Sequence, residues 1–297
     1  MIGRIVPMLA PVAQAEGGEF DIQEMILQHL VDSREWEVGP WVIQLPEIHV
    51  PLGPVVLDLS ITKHVLFMFF AALIVIAIMI PAARSARRAH EEGAQRGPKG
   101  AANVVEAFVL FLRDEVAMPN IGQGGERFVP FVVTIFFFIL LSNLLGLIPW
   151  GATPTGNISV TAALAILSFI VIEVAGMMEL GAKGYAKTIF YAPPGMHWAM
   201  KIPMLIIMTP VEFLGKLTKP FALAIRLFAN MTAGHAVVLA LTGLAVTASL
   251  AGVLPVAIAP VLMATAIMVL ELFVAFLQAY IFAMLTSVFI GMIRHAH

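Results

Sequence analysis

The chain has 297 residues, of which 60% are hydrophobic and 12% charged, with a formal net charge of -2 and a mean hydropathy of +0.94. Soluble domains carry about twice that charged fraction, so this is the composition of an integral membrane protein. The absence of cysteine excludes disulfides, thiolate catalysis and thiolate metal sites, and no basic run is long enough to suggest nucleic acid as a partner.

Residues 1–15 hold one arginine, an apolar run broken by Pro7 and Pro11, and an Ala13-Gln14-Ala15 sequence that fits a cleavage site, although the run is shorter than a usual signal-peptide core. In the mixed, acidic stretch 16–60, FDIQEMILQHLVDSREW reads as a short amphipathic helix and WVIQLPEIHVPL as extended chain. Residues 1–60 are therefore expected to form a soluble arm and 61–297 a membrane domain. Val65 to Ala83 carries no charge, which is enough to cross a hydrocarbon core of about 30 Å. Arg84, Arg87, Arg88, Arg96 and Lys99 follow at once. A short loop this basic stays cytoplasmic, which places the N-terminal arm on the outer, extracytoplasmic side.

Residues 101–127 read as an amphipathic segment, with Val104, Val105, Phe108, Phe111 and Leu112 on one side and Glu106, Arg113, Asp114 and Glu115 on the other. Such a segment lies along the cytoplasmic surface or dips in as a hairpin. Phe128 to Ile172 is again uncharged and too long for one helix; Pro149, Gly151, Pro154 and Gly156 mark an outer turn between spans at 129–148 and 158–178, the second carrying Glu173 near its cytoplasmic end. Residues 179–201 hold Lys183, Lys187 and Lys201 and read as a cytoplasmic loop. Ala236 to Leu270 is uncharged but interrupted by Gly252, Pro255 and Pro260, and a last span over 261–293 leaves the C-terminus cytoplasmic. The fold class is all-α polytopic membrane protein, with about five to six membrane helices.

Within this apolar background, Thr209 to His235 is unusual. Arg226 sits in a helical segment whose other strongly polar residues are Glu212, Lys216, Lys219, Asn230 and His235. At 100° per residue Asn230 lies one turn beyond Arg226, Lys219 two turns before it, and Glu212 within about 40° of the same meridian, while His235 points the opposite way. Either Arg226 snorkels to the headgroups, or it serves a site that needs a permanent positive charge, for which arginine is better suited than lysine. A second polar set lies in the final span, where Glu271 and Gln278, seven residues apart, share one face. Glu271 either pairs with a basic group to join two helices, or takes up and gives back protons in an apolar setting.

PFALAIRLFANMTAGH at 220–235, followed by ELFVAFLQAYIFAMLTSVFI at 271–290, resembles the a subunits of F-type ATP synthases, and LLSNLLGLIP at 140–149 and PTGNISVTAALA at 154–165 resemble that family's first hairpin. The resemblance runs from about residue 60 to the end. It implies a stator subunit that carries protons past a rotating c-ring, with the last two helices long, tilted and paired as a hairpin against that ring. It further implies that Arg226 faces the ring carboxylate, that Asn230, His235, Glu271 and Gln278 serve an outer half-channel, and that Glu212 serves a cytoplasmic one. Asn143 and Glu173 fall on supporting polar positions. His235 and Glu271 stand where some members carry the acid and the imidazole in the reverse order, and Phe289 stands where some carry tyrosine.

The implied partners are the c-ring, the b subunits of the peripheral stalk, the F1 sector indirectly and the bilayer of a bacterial inner membrane, with no cofactor and no metal. A secondary ion-coupled transporter is the alternative, but no internal repeat supports two related halves. A membrane-embedded enzyme finds no HExxH, GxS or paired-aspartate motif in the apolar segments.

Overall fold

The computed structural model describes residues 26, 31–38, 41–52, 55–58, 60–91, 101–148, 150–190 and 198–294. The Ala13-Gln14-Ala15 sequence lies outside them, as do most of the helix expected over 20–36 and the loop residues 92–100 and 191–197. At the end of that expected helix the structure differs: 31–34 are not helical, and Glu35 and Trp36 begin a strand. Ser33 turns its hydroxyl onto the Glu35 carbonyl at 2.9 Å, a local bond that competes with a helix, and the Trp and Val residues that follow favour a pleated strand.

Four short strands result among the described residues. β1 (Glu35–Val38) pairs antiparallel with β2 (Trp41–Gln44), and β3 (His49–Leu52) with β4 (Val55–Asp58), as two separate ribbons. The stretch read as extended, 41–52, thus supplies β2 and β3. A two-stranded ribbon is marginal alone, and β1 is buttressed by the first helix: the Trp36 ring meets Phe67 edge-on at 5.5 Å and Phe70 at 6.4 Å.

That helix, α1 (Lys63–Glu91), continues past its apolar stretch into the basic run. The segment read as one amphipathic element is divided into α2 (Ala101–Phe111), a π-helical turn at Leu112–Ala117, α3 (Met118–Ile121) and a 3-10 turn at Gly125–Phe128. Leu112, Val116, Ala117 and Ile121 are completely buried there, so packing overrides a uniform helical period. α4 (Val129–Gly146) follows, without a charged residue and with no separate polar face. It is the most enclosed of the spanning helices, 61% buried against 17% to 28% in the others, as expected of a helix with no polar face.

α5 (Ile158–Ile189) extends eleven residues beyond the expected span end at 178. Part of the expected cytoplasmic loop is therefore helical, set off by Gly181, whose φ of 67° and ψ of 167° break the hydrogen-bond ladder and suit a residue without a Cβ. α6 (Trp198–Leu250) has 53 residues and α7 (Leu254–Arg294) has 41. About 20 residues suffice to cross a bilayer, so both final helices exceed a simple span, as the resemblance implied. Of the proline and glycine interruptions expected between them, Gly252 forms the turn, with the Val253 amide returning to the Ala248 carbonyl at 3.0 Å. Pro255 sits in the first turn of α7, where its missing amide is harmless, and Pro260 is absorbed within the helix.

Five helices among the described residues are long and apolar enough to cross a membrane: Lys63–Arg84, Gly125–Gly146, Ile158–Gly181, Ile202–Ser249 and Pro255–Arg294. The protein is an all-α polytopic membrane protein. It divides into two compact units, one made of Met1–Ile74, Leu140–Asn157 and Phe228–Leu277, the other of Val75–Ile139, Ile158–Leu227 and Gln278–His297. In the second unit the end of α7 is fastened by Arg294, 5% exposed, which donates to the carbonyls of Ile121 at 3.3 Å and Gln123 at 2.9 Å and pairs with Glu179 at 3.0 Å.

Candidate functional site

In the first unit, polar groups from three segments converge on His235 of α6. Its Nδ1 lies 3.1 Å from Oε1 of Glu271 on α7, and its Nε2 lies 2.8 Å from the Thr153 hydroxyl and 3.1 Å from the Gly146 carbonyl. Glu271 is 6% exposed. A buried carboxylate needs a partner, and here the partner is an imidazole, a group able to gain and lose a proton near neutral pH. Gly234 makes the approach possible, because a Cβ there would overlap the Glu271 carboxylate.

Beside this pair, Asn143 is completely buried on α4. It donates to the Ala275 carbonyl at 3.3 Å and accepts from the Thr155 hydroxyl at 2.5 Å. The sequence singled out His235, Glu271 and Asn143, and the structure brings all three into this unit's polar interior. It did not single out Thr153 or Thr155. Both lie in the Pro- and Gly-marked turn, where a hydroxyl reads as turn chemistry; the available signal was that threonines beside an apolar span end must bond something.

The same unit holds a second pair at the start of α1. Nδ1 of His64 is 2.8 Å from Oδ1 of Asp32, and Asn157 donates to the other Asp32 oxygen at 3.1 Å. His64 is only 4% exposed, because the arm folds over it. Burial works against the Asp32 charge, yet the hydrogen bond and positive charge of His64 outweigh it and hold the carboxyl below its ordinary value. A carboxyl so depressed adds stability above its unfolded pKa of about 3.9, and that stability is lost as pH falls through the lower folded value. Resistance of the arm to limited proteolysis is thus expected to be flat from neutral pH to about 5 and to fall below about 4; protection unchanged at lower pH would show that the pair does not hold the arm.

In the second unit, Lys216 of α6 is 9% exposed. Its Nζ lies 3.4 Å from Glu173, 3.3 Å from the Tyr185 hydroxyl and 3.4 Å from the Thr188 hydroxyl, all on α5, and 4.3 Å from the centre of the Tyr185 ring. A buried ammonium held by an acid, two hydroxyls and a ring face has its desolvation largely offset. Lys216, Glu173 and Thr188 border a cleft of about 160 Å³ that Glu212, Lys219 and Phe289 also line. Glu173 and Glu212 are thus brought to one place, and Lys216 joins them as the residue whose partner the sequence did not disclose.

Arg226 behaves differently. It is exposed on α6, and among the described residues no carboxylate pairs with it. Asn230, one turn on, is exposed as well, whereas Gln278 on α7 is 5% exposed. Ala222, Ala229 and Ala233, also exposed, lie within about 60° of Arg226 around the helix. That face of α6 thus carries small residues around Arg226, together with Lys219 and Asn230.

The family profile described as ATP synthase A chain matches residues 65–291, which takes in the His235 and Lys216 clusters and Arg226. The chain belongs to that family. Among its relatives, ATP synthase subunit a 2 of Chlorobaculum tepidum is 43% identical over 95% of this chain and 76% of its own length. ATP synthase subunit a of Chloroherpeton thalassium is 45% identical over 90% and 75%, and that of Myxococcus xanthus 49% identical over 80% and 73%. The family match and the five apolar helices together make this a multi-pass membrane member of the ATP synthase A chain family. The matched region begins at residue 65, so the strand-bearing arm lies ahead of the part the family profile describes.

Proposed function

We propose that the protein is the stator subunit of the F0 sector of an F-type ATP synthase, passing protons to and from the carboxylates of a rotating c-ring and so coupling proton flow to ATP synthesis. It is not catalytic by itself. The observation that carries this reading is Arg226: an always-charged side chain on an exposed face with small residues around it, within an apolar span, with no acid from the described residues to neutralise it. A charge so placed in a membrane needs an anion from elsewhere, and small residues beside it let another helix approach closely.

A ring carboxylate opposite Arg226 is held ionised by the adjacent positive charge. Facing lipid, the same carboxylate must be protonated, because a bare charge in hydrocarbon is expensive. Each ring subunit therefore gives up its proton on approach to Arg226 and regains one after passing it. His235, Glu271, Asn230 and Gln278 would serve the outer half-channel, with Asn143 supporting it, and Glu212 the cytoplasmic one, with Glu173 beside it. Arg226 also blocks a direct leak between the two, since it does not release its proton. Each proton moved across 100 mV supplies about 2.3 kcal/mol.

The excess of basic residues from the end of α1 onward supports an N-terminus outside and, with five spans, a C-terminus in the cytoplasm of a bacterial inner membrane. The b subunits of the peripheral stalk would hold the chain against the torque, and the F1 sector would be reached through them and the ring. The test exploits the lack of native cysteine in this chain. A cysteine at Ala229 or Ala233 should form a disulfide with a cysteine beside the ring carboxylate in the assembled complex, while one at Ile206 should not. Cross-linking at Ile206 alone would place the ring on another face and remove Arg226 from the reading.

A further inference from the structure

The turn at 150–157 carries Thr153, bonded to His235, and Thr155, bonded to Asn143. The turn has backbone bonds of its own, from the Gly156 amide to the Thr153 carbonyl at 2.9 Å and from the Asn157 amide to the Pro154 carbonyl at 3.1 Å. Its two ends are held in addition by the N-terminal arm. The Trp36 indole N–H donates to the Trp150 carbonyl at 2.9 Å, and Asp32 accepts from Asn157 at 3.1 Å. Both holding residues are themselves fixed. Trp36 is wedged against Phe67 and Phe70 of α1, and Asp32 takes the His64 imidazole at 2.8 Å and the His64 amide at 3.4 Å. The Lys63 amide also donates to the Ser33 carbonyl at 3.0 Å, so the start of α1 and the root of the arm form one hydrogen-bonded corner.

We propose that Asp32 and Trp36 are positioning residues for the His235–Glu271 pair: by gripping the two ends of the 150–157 turn, the arm sets the Thr153 hydroxyl against His235 and thereby tunes proton exchange there. This rests on the reading of that pair as a proton-carrying site. Neither residue touches the pair, and their effect passes through Thr153. The turn has reason to need an outside grip. Trp150 holds a φ of 63°, sparsely populated for a residue with a side chain, and the Gly151 amide returns to the Ile148 carbonyl at 2.8 Å. Such a conformation persists when surrounding contacts over-determine it.

The experiment uses proteoliposomes of the intact ATP synthase, with ATP synthesis followed as the pH on the arm's side is varied. Trp36→Phe removes the indole N–H but keeps a ring against Phe67 and Phe70, and Asp32→Ala removes the grip on Asn157. Each should lower the rate about fivefold, the worth of one hydrogen bond, and displace the midpoint of the pH dependence by about 0.7 unit. In a Thr153→Val background Trp36→Phe should add nothing, because the route to His235 is already cut. An unchanged rate and midpoint in Trp36→Phe, or a full additional loss in the Thr153→Val background, overturns the proposal. Glu271→Gln is the companion: if it too is silent, the proton-path reading fails, whereas a dead Glu271→Gln beside a normal Trp36→Phe sinks only the role of the arm.

Discussion

With Arg226 replaced by alanine, ATP-driven proton pumping in inverted vesicles is expected to disappear while the subunit still co-purifies with the ring. The magnitude follows from Coulomb's law. Opposite charges about 4 Å apart interact by about 4 kcal/mol at an effective dielectric of 20, which amounts to about three pKa units for the ring carboxylate. Without that term the carboxylate reaching the stator keeps its proton, and the ring turns without exchanging anything. Arg226→Lys should fail nearly as badly, because a desolvated ammonium can shed its proton where a guanidinium does not. Assembly ought to survive, since Arg226 is exposed and supports no ion pair among the described residues. Normal pumping in Arg226→Ala would make the arginine an interfacial anchor and would return the secondary ion-coupled transporter to the foreground.

The second large effect concerns the order of acid and imidazole. His235→Glu and Glu271→His should each lower proton transport about 100-fold, the range in which removing a positioned acid or base falls. Joined in one chain, the two changes restore one acid and one imidazole across the 3.1 Å gap, and transport should return to within about tenfold of the parent. Recovery stays incomplete for a visible reason. The Gly146 carbonyl, which now faces the His235 ring nitrogen at 3.1 Å, would face a carboxylate oxygen in the exchanged protein, and two acceptors repel. If the double variant is as inactive as either single one, the two residues act separately and the shared proton site is lost as an explanation.

What the sequence disclosed and what it withheld have physical causes. Arg226, Glu271, Glu212 and Glu173 stand out because a charge in a long apolar run is costly and therefore conspicuous. His235 and Asn143 were recovered by the motifs around them. Five to six spans were expected from uncharged length read together with proline, glycine and loop charge, the described residues hold five, and the two long final helices agreed with the family resemblance. The hydroxyls of Thr153 and Thr155 were not legible, since their partners are 82 and 12 residues away in sequence and a threonine in a turn already has a local explanation. Asp32 and His64 escaped for a similar reason. Each looks solvated by itself, and only the fold of the arm, driven by Trp36 against Phe67, buries one against the other. The helix expected at 31–36 and the loop expected at 179–189 were lost to a hydroxyl turn at Ser33 and to helix-forming residues on either side of Gly181.

The close approach at Gly234 bears on how such a site can drift between lineages. An exchange of His235 and Glu271 made one substitution at a time passes through either two carboxylates or two imidazoles. The space at position 271 is bounded by a stretch of α6 backbone that has no side chain, and the Glu271 oxygen already fills it. An imidazole at 271 is crowded while the His235 ring still stands opposite it, and gains room once 235 is the slimmer carboxylate, whereas a second carboxylate at 235 fits the volume already present. The passable route between the two arrangements therefore runs through an acidic intermediate, and it stays open only while position 234 remains glycine.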